Sequence, residues 1–142
     1  MPIESLSFQV RGTKQEDLTA IETFIQPFVE AGRLLPRTTD ELVDLIPSGF
    51  IAEHQGQIVG FAALEVYSKK LAELRSLAVA DEYRGQGIGR SLVVACLKLA
   101  KERNVFEVLA ITSEDYFFKS CGFDFTLPGE KKALFYQTRP QA

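Results

Sequence analysis

The sequence predicts an α/β fold: a single mixed, mostly antiparallel sheet of about seven strands, flanked by about four helices. Two observations predict this class. Strand-like and helical segments follow one another along the 142 residues in the order βαα, βββ, αβ, αββ. Some strands are direct neighbours, which favours antiparallel pairing, and others are separated by a helix, which favours parallel pairing. The sheet is therefore mixed, with helices on both faces.

The first strand and the first two helices follow from alternation and from capping residues. Alternation predicts a strand over Ser5–Arg11. Thr13 is the expected N-cap of a helix that ends at Gly32. A second, short helix begins with Thr39 as its cap and ends at Pro47. The apolar positions at helical spacing are Leu18, Ile21, Phe24, Ile25 and Phe28, then Leu42, Val43, Leu45 and Ile46.

The middle of the chain predicts three consecutive strands and the longest helix. Strands over Gly49–Glu53 and Ile58–Tyr67 flank a turn at Gln55-Gly56. A third strand covers Leu71–Val79. Ile88–Arg103 has a wide apolar stripe at helical spacing and is the clearest helix.

The last third of the chain predicts shorter elements. A strand covers Val105–Thr112, and a short helix follows over Ser113–Cys121. Two final strands are expected near Phe123–Phe125 and Ala133–Thr138.

Composition indicates an ordinary globular domain, with 46% hydrophobic and 25% charged residues. The net charge of −3 lacks the basic excess of a nucleic-acid binder. No apolar run approaches the ~20 residues of a membrane span, and the first residues lack the pattern of a secretory signal. We therefore expect one domain over residues 1–142, in the cytoplasm, with neither nucleic acid nor membrane as a partner.

Metal and cysteine chemistry have little support in the sequence. Cys96 and Cys121 form no CxxC pair, and Cys96 lies on an apolar helical stripe. His54, the single histidine, lies in a polar turn that favours a solvated loop residue. We expect no metal site and no nucleophilic role for either cysteine.

The glycine-rich segment 84–90 predicts a binding site for a phosphate-containing cofactor. Gly85, Gly87 and Gly89 follow a strand and open the best helix, so backbone N–H groups can converge there on an anion. Arg84 and Arg90 add formal charge. The spacing is neither the dinucleotide fingerprint nor a P-loop. A flexible connector is the alternative interpretation of the glycines.

The residues flanking the loop indicate a family. Leu77–Gly89 resembles the acetyl-CoA motif of the GNAT acetyltransferase superfamily, and Phe117–Phe123 resembles a later segment of that family. The resemblance implies the GNAT fold, acetyl-CoA as co-substrate, and a split between two parallel strands ending near Val79 and Thr112. The cofactor-binding residues that it implies are Leu77, Ala78, Val79, Arg84, Gly85, Gln86, Gly87, Ile88, Gly89, Arg90 and Phe118.

Three further segments, Gly32–Thr38, Ala72–Val79 and Leu127–Arg139, resemble the acetyltransferase domain of bacterial N-acetylglutamate synthase, an amino-acid N-acetyltransferase. The resemblance implies L-glutamate as acceptor, at the entry to arginine biosynthesis. Arginine forks suit its two carboxylates. Each cation could instead be a solvated surface charge, and we interpret Lys132 in that way. The acceptor-binding residues so implied are Leu35, Arg37, Arg75, Ser76, Lys131 and Arg139.

Glu73 is the candidate base, because a nucleophilic amine must lose a proton near neutral pH. Strict alternation would place Glu73 and Arg75 on the strand face opposite Ser76. We therefore predict a β-bulge between Glu73 and Ser76, which would let both line one site.

Phe118 stands where many family members have a tyrosine that serves as the acid for the leaving thiolate. A phenylalanine has no proton to donate. Thr112, Ser113 or a water would have to serve, or the thiolate leaves unaided. Tyr116, close in sequence, is expected to pack. We expect direct transfer in a ternary complex.

Two alternatives stay open: an enzyme for another amine, such as an amino acid, a polyamine, an antibiotic or a protein N-terminus, and a non-catalytic acetyl-CoA-binding sensor or accessory subunit. Dimers are common in the superfamily, so a homodimer is one alternative for the oligomeric state. At 142 residues we expect no arginine-binding kinase-like domain.

Overall fold

The computed structural model describes residues 7–125 and 133–139. These fall into two compact units, one ending at Thr112 and one beginning at Ser113. In the first unit the elements are β1 Gln9–Gly12, α1 Leu18–Glu30, α2 Thr39–Leu45, β2 Gly49–His54, β3 Gln57–Val66, β4 Leu71–Val79, α3 Ile88–Glu102 and β5 Glu107–Leu109. The second unit contains α4, Asp115–Ser120.

The strands form one mixed sheet in the order β1-β2-β3-β4-β5. The first three pairings are antiparallel, and β4 pairs with β5 in parallel. The predicted fold class is therefore confirmed. β5 pairs over three residues only and is shorter than the predicted strand Val105–Thr112.

The predicted number of strands is too high, because the sheet has five strands in the described part of the chain. Residues 123–125 and 133–138 are not strand. Their apolar and aromatic side chains are typical of strands, yet Phe125, Leu134 and Tyr136 are exposed. A strand also needs a hydrogen-bonded neighbour and a surface to cover.

The sheet is covered on both faces within the first unit. On one face, α1 and α2 pack on the sheet through a cluster of buried residues: Ile21, Ile25, Leu42, Leu45, Ile46, Ile51, Phe61 and Ala63. On the other face, Ile88 and Leu92 of α3 lie directly above Gly60 of β3. The residues of β3 and β4 thus divide into an α1/α2 face and an α3 face.

Two helix caps differ from the predicted residues. Thr13 does not cap α1; its hydroxyl donates a 2.6 Å hydrogen bond to the carbonyl of Ile46. A short 3₁₀ turn instead precedes α1, where the Asp17 carboxylate accepts from the N–H of Lys14. Helix α2 is capped by Thr38 rather than Thr39, because Thr38 pairs reciprocally with the residue three positions on.

Strand β4 contains a β-bulge close to the predicted place. Arg75 pairs with Ala63 of β3. Ala78, three residues on, pairs with Phe61, which is only two residues back along β3. Ser76 has a φ of +57°, in the left-handed region. The extra residue thus follows Arg75, somewhat later than predicted.

The bulge changes which residues of β4 share a face of the sheet. Glu73 pairs regularly with Glu65, and Arg75 and Ala78 follow on the same α1/α2 face. Val79 pairs with Gly60 and therefore lies on the α3 face. Strict alternation would have placed Val79 with Glu73, so only the bulge separates them.

We expect Gly60→Ala to lower the free energy of unfolding by about 1–3 kcal/mol, the usual cost of overpacking. A Cβ at this position would lie 2.9 Å from side-chain atoms of both Ile88 and Leu92, which are buried. Gly12→Ala is the matched control, since its Cβ would meet only the Gly49 carbonyl oxygen at 4.0 Å. Urea unfolding measures both. Equal stability of the two variants would contradict the tight contact between α3 and β3.

Candidate active site

A split opens in the sheet beside β4. The parallel pairing with β5 covers only Leu71 to Glu73 of β4 and stops at Leu109 of β5. From Leu74 to Val79, no residue in the described ranges pairs with β4 on this side. The split was expected between strands ending near Val79 and Thr112; it lies at that place, with β5 ending three residues earlier.

Backbone groups of β4 point into this split. Strand residues direct their N–H and C=O groups alternately to the two sides. Ala80 donates to the Val59 carbonyl at 2.9 Å, on the β3 side. The backbone groups of Val79 therefore point away from β3, toward the split. An extended chain with amide groups could pair there as an additional strand would.

The glycine loop lies at the N-terminus of α3. Gly85 and Gly87 have φ of +78° and +86°, and an added Cβ would meet no atom within 4 Å at either position. Within the described residues, no hydrogen bond is donated by the backbone N–H groups of Gly85 to Gly89. Ile88 is 1% exposed, so its side chain belongs to the core and only its backbone faces this site. The loop can thus bind an anion through backbone donors.

Ion pairs connect the glycine loop to the α1–α2 loop. Asp81 lies 3.2 Å from Arg84 of the glycine loop and 3.1 Å from Arg33 of the α1–α2 loop, both measured at the same carboxylate oxygen. Arg33 also stacks over the Phe28 ring at 4.8 Å. These side chains are largely exposed, so each pair contributes little to stability. Arg33 and Arg84 nevertheless place positive charge beside the glycine loop.

Arg37 projects from the α1–α2 loop onto the α1/α2 face of β4. Its side chain is 7% exposed, and its Nε donates a 3.2 Å hydrogen bond to the Ser76 hydroxyl at the bulge. A longer ion pair, 3.7 Å, joins it to Glu41. Burial, followed by the nearby charge of Arg75, lowers the pKa of Arg37, although an arginine remains protonated. A buried guanidinium with few partners is suited to binding a carboxylate.

Beside Arg37, two carboxylates face the same side of the sheet. Glu65 and Glu73 are cross-strand partners on β3 and β4. Arg75 donates to Glu65 at 2.7 Å, and its Nε is 4.0 Å from Glu73. The Tyr67 hydroxyl donates a 2.6 Å hydrogen bond to Glu73. We name this set, with Arg37 and Ser76, the acceptor cluster.

The pKa of Tyr67 is raised to about 12, first by burial and then by its hydrogen bond to Glu73. The phenol therefore stays protonated near neutral pH and remains a donor to the carboxylate.

The structure thus brings together four of the predicted catalytic and acceptor residues: Arg37, Glu73, Arg75 and Ser76. Leu35, two residues before Arg37, is 69% exposed. Thr112 and Ser113 are exposed and follow β5. Arg139 is exposed in the second unit, and Lys131 lies outside the described residues.

In the second unit, Phe118 is buried, and its ring meets those of Phe117 and Phe123 at 5.1 and 5.2 Å. Tyr116, which was expected to pack, is 87% exposed. A six-residue helix buries one face only, and Phe118 occupies it.

Sequence reasoning missed Glu65 and Tyr67. A signal was present: the connection between β3 and β4 is short, so Glu65 had to pair near Glu73 once the two strands were recognised as a hairpin. The contact of Tyr67 with Glu73 had no comparable signal, since it depends on how the chain leaves β3.

In the described ranges, no cluster of three metal-ligating side chains occurs. None of the helices there combines the length and the apolar character that crossing a bilayer requires.

A mixed sheet that splits beside a bulged strand, with a glycine loop at the adjacent helix N-terminus, is the arrangement that the family resemblance predicts for an acyltransferase that uses coenzyme A. The sequence profile of the acetyltransferase (GNAT) family matches residues 16–123. The chain belongs to the GNAT family and is an N-acetyltransferase with acetyl-CoA as co-substrate.

Similar proteins include several acetyltransferases. An uncharacterised N-acetyltransferase of Chlorobaculum tepidum is 37% identical over 114 residues, covering 80% of this chain and 74% of that protein. An amino-acid acetyltransferase of Mycobacterium tuberculosis is 32% identical, covering 80% and 67%. One from Aeromonas salmonicida is 31% identical over 89% of this chain, which spans only 30% of that protein.

Two solved structures share this fold. A Mycobacterium tuberculosis protein in complex with CoA has a TM-score of 0.76 at 31% identity, covering 84% of this chain and 73% of that one. The N-acetylglutamate synthase of Neisseria gonorrhoeae, complexed with coenzyme A and N-acetyl-glutamate, has a TM-score of 0.73 at 25% identity, covering 82% and 28%.

Proposed function

We propose that this protein transfers the acetyl group of acetyl-CoA to the α-amino group of L-glutamate. The observation that carries the proposal is the acceptor cluster, in which a buried cation and a carboxylate lie on one sheet face next to the split. Arg37 is 7% exposed, and the side chain of Glu73 is 13% exposed. An amino acid needs both groups: a cation for its carboxylate and a base for its ammonium.

The cations of the acceptor cluster fit a dicarboxylic acceptor. Arg37 donates one hydrogen bond to a described residue, through Nε, and its Nη1 lies 3.7 Å from Glu41 without hydrogen-bonding to it, so we assign its two terminal nitrogens to a carboxylate fork. Arg75 is already engaged by Glu65 and serves a neighbouring position at most. We assign further acceptor contacts to Leu35 and Arg139, and to Lys131, as proposals.

The reaction needs one proton acceptor and one proton donor. Glu73 takes a proton from the acceptor ammonium, and the free amine attacks the thioester carbonyl. The N–C bond forms, the attacking nitrogen gives up its second proton to water, the C–S bond breaks, and the thiolate of CoA leaves. Because Phe118 has no hydroxyl, Thr112, Ser113 or water returns a proton to the sulfur, or the thiolate leaves unaided.

Relatives also support the proposal, since they include amino-acid acetyltransferases and an N-acetylglutamate synthase. The chain spans about a third of the length of several of them. We therefore base no proposal about the regulation of this chain on those longer proteins.

A thiol-release assay with acetyl-CoA against amino acids and polyamines tests the proposal. Turnover with L-glutamate well above glutamine and aspartate is expected. Preference for a polyamine would contradict the acceptor assignment and give the carboxylates Glu65 and Glu73 the leading role in binding. Tight acetyl-CoA binding without turnover of any amine would contradict catalysis and favour a sensor or accessory subunit.

We expect Gly87→Ala to raise the dissociation constant for CoA about 10- to 100-fold, because a Cβ at φ +86° strains the loop and obstructs its donors. Isothermal titration calorimetry measures this. Gly56→Ala is the matched control: it also has positive φ (+76°) and open space for a Cβ, but it lies in the β2–β3 turn. The two variants should lose similar stability. Equal CoA affinity in both would contradict the anion-binding role of the loop.

A further inference from the structure

The two oxygens of the Glu73 carboxylate have different surroundings. Oε1 accepts a 2.6 Å hydrogen bond from the Tyr67 hydroxyl. Oε2 has the Arg75 Nε at 4.0 Å, too far for a hydrogen bond, and it accepts no hydrogen bond from a described residue. The carboxylate is therefore held at one oxygen while the other is available.

The Tyr67 hydroxyl donates its proton to Glu73 rather than to its second neighbour, Glu65. A phenol has one proton to donate, and Glu65 lies at 3.2 Å, compared with 2.6 Å for Glu73. Glu65 in turn accepts a 2.7 Å hydrogen bond from Arg75. Arg75 thus neutralises Glu65, and Tyr67 is left to orient Glu73.

We propose that Tyr67 is a positioning residue of the acetyl transfer: its hydroxyl fixes the Glu73 side chain so that Oε2 is presented to the acceptor ammonium. This inference rests on the proposed role of Glu73 as the base. It adds a residue that touches neither CoA nor the acceptor and acts only through Glu73. The Glu65–Arg75 pair completes the support by holding the second carboxylate away from that proton.

The other groups around the Glu73 carboxylate do not hydrogen-bond to it. They are Glu65 on β3, Arg75 on β4 and Arg37 from the α1–α2 loop. Among the described residues, Tyr67 is the one that donates a hydrogen bond to this carboxylate. Removing the Tyr67 hydroxyl therefore removes the contact that holds the Glu73 side chain in place.

Tyr67→Phe is the test, because it removes the hydroxyl and keeps the ring. We expect kcat/KM for the amine to fall about 10- to 100-fold, mainly through kcat, and the dissociation constant for CoA to stay unchanged. Tyr116→Phe, the same change at an 87% exposed residue, is the matched control. Activity of Tyr67→Phe equal to that of Tyr116→Phe would overturn the inference.

A double-variant cycle separates this inference from the proposed function. If Tyr67 acts through Glu73, then Tyr67→Phe has little further effect in a Glu73→Gln background. A full additional loss there would overturn the positioning role. An unaffected Glu73→Gln enzyme would instead overturn the assignment of the base, and the inference with it.

Tyrosine fluorescence tests the contact without turnover. The chain has four tyrosines and no tryptophan, so its emission comes from tyrosine alone. A hydrogen bond to an ionised carboxylate is stronger than one to a neutral amide and quenches tyrosine emission more, so Glu73→Gln is expected to raise the emission at neutral pH. The rise should vanish when Tyr67 is phenylalanine. An equal rise in both backgrounds would show that the hydrogen bond is not formed in solution, and would overturn the inference.

Discussion

Replacing Glu73 with glutamine is expected to lower kcat about 100- to 10,000-fold, the range that a positioned general base contributes. The dissociation constant for CoA should change less than about twofold, because Glu73 lies on the α1/α2 face while the glycine loop lies at the N-terminus of α3. Glutamine keeps the size of the side chain and its hydrogen bond to Tyr67, so the change removes the base and little else.

Steady-state kinetics at saturating acetyl-CoA measures this effect, with calorimetry for CoA binding. Glu65→Gln is the matched control, since Glu65 is the cross-strand partner of Glu73 and shares its face. Its carboxylate is engaged by Arg75, so we expect a loss below about tenfold. A larger loss in Glu65→Gln than in Glu73→Gln would reverse the assignment and make Glu65 the base.

Replacing Arg37 with glutamine is expected to raise KM for the acceptor about 30- to 150-fold, with a smaller effect on kcat. The change removes a buried charge whose proposed partner is the acceptor carboxylate, and truncating such a pair costs about 2–3 kcal/mol. Arg37→Lys should recover part of the loss, because it restores the charge but not the two-pronged geometry.

Initial rates over a range of acceptor concentrations measure the effect. Arg103→Gln is the control, since Arg103 lies at the C-terminal end of α3 and donates to the carbonyl of Pro47. An unchanged KM in Arg37→Gln, with the variant folded by circular dichroism, would contradict carboxylate binding at Arg37. A lower KM for a polyamine in the same variant would favour a cationic acceptor.

Much of the fold followed from the sequence because its signals are local. The helical stripe of α3 and the turn at Gln55-Gly56 each lie within one short stretch, and both occur where expected. The final strands did not follow, since Phe125 and Leu134 are exposed and their segments are not strand. Strand formation depends on a partner that local pattern cannot supply.

The candidate site divides in the same way. Residues 84–90 form one contiguous stretch that ends in the first turn of α3, so their glycine pattern predicts the positive φ of Gly85 and Gly87 directly. Arg37 and Ser76 are 39 positions apart, and only the resemblance to a family suggested that they belong together. Their contact depends on the α1–α2 loop reaching over β4.

By itself, the sequence determined the α/β class, the glycine loop and the presence of a carboxylate on the strand beside it. The tertiary structure decided the rest: the bulge at Ser76 sets which residues of β4 share a face, and the hairpin register brings Glu65 and Tyr67 to Glu73. The physical reason is that a one-residue change in register exchanges the two faces of a strand. Register is fixed by pairing and packing across the whole sheet, and no short segment of the chain contains that information.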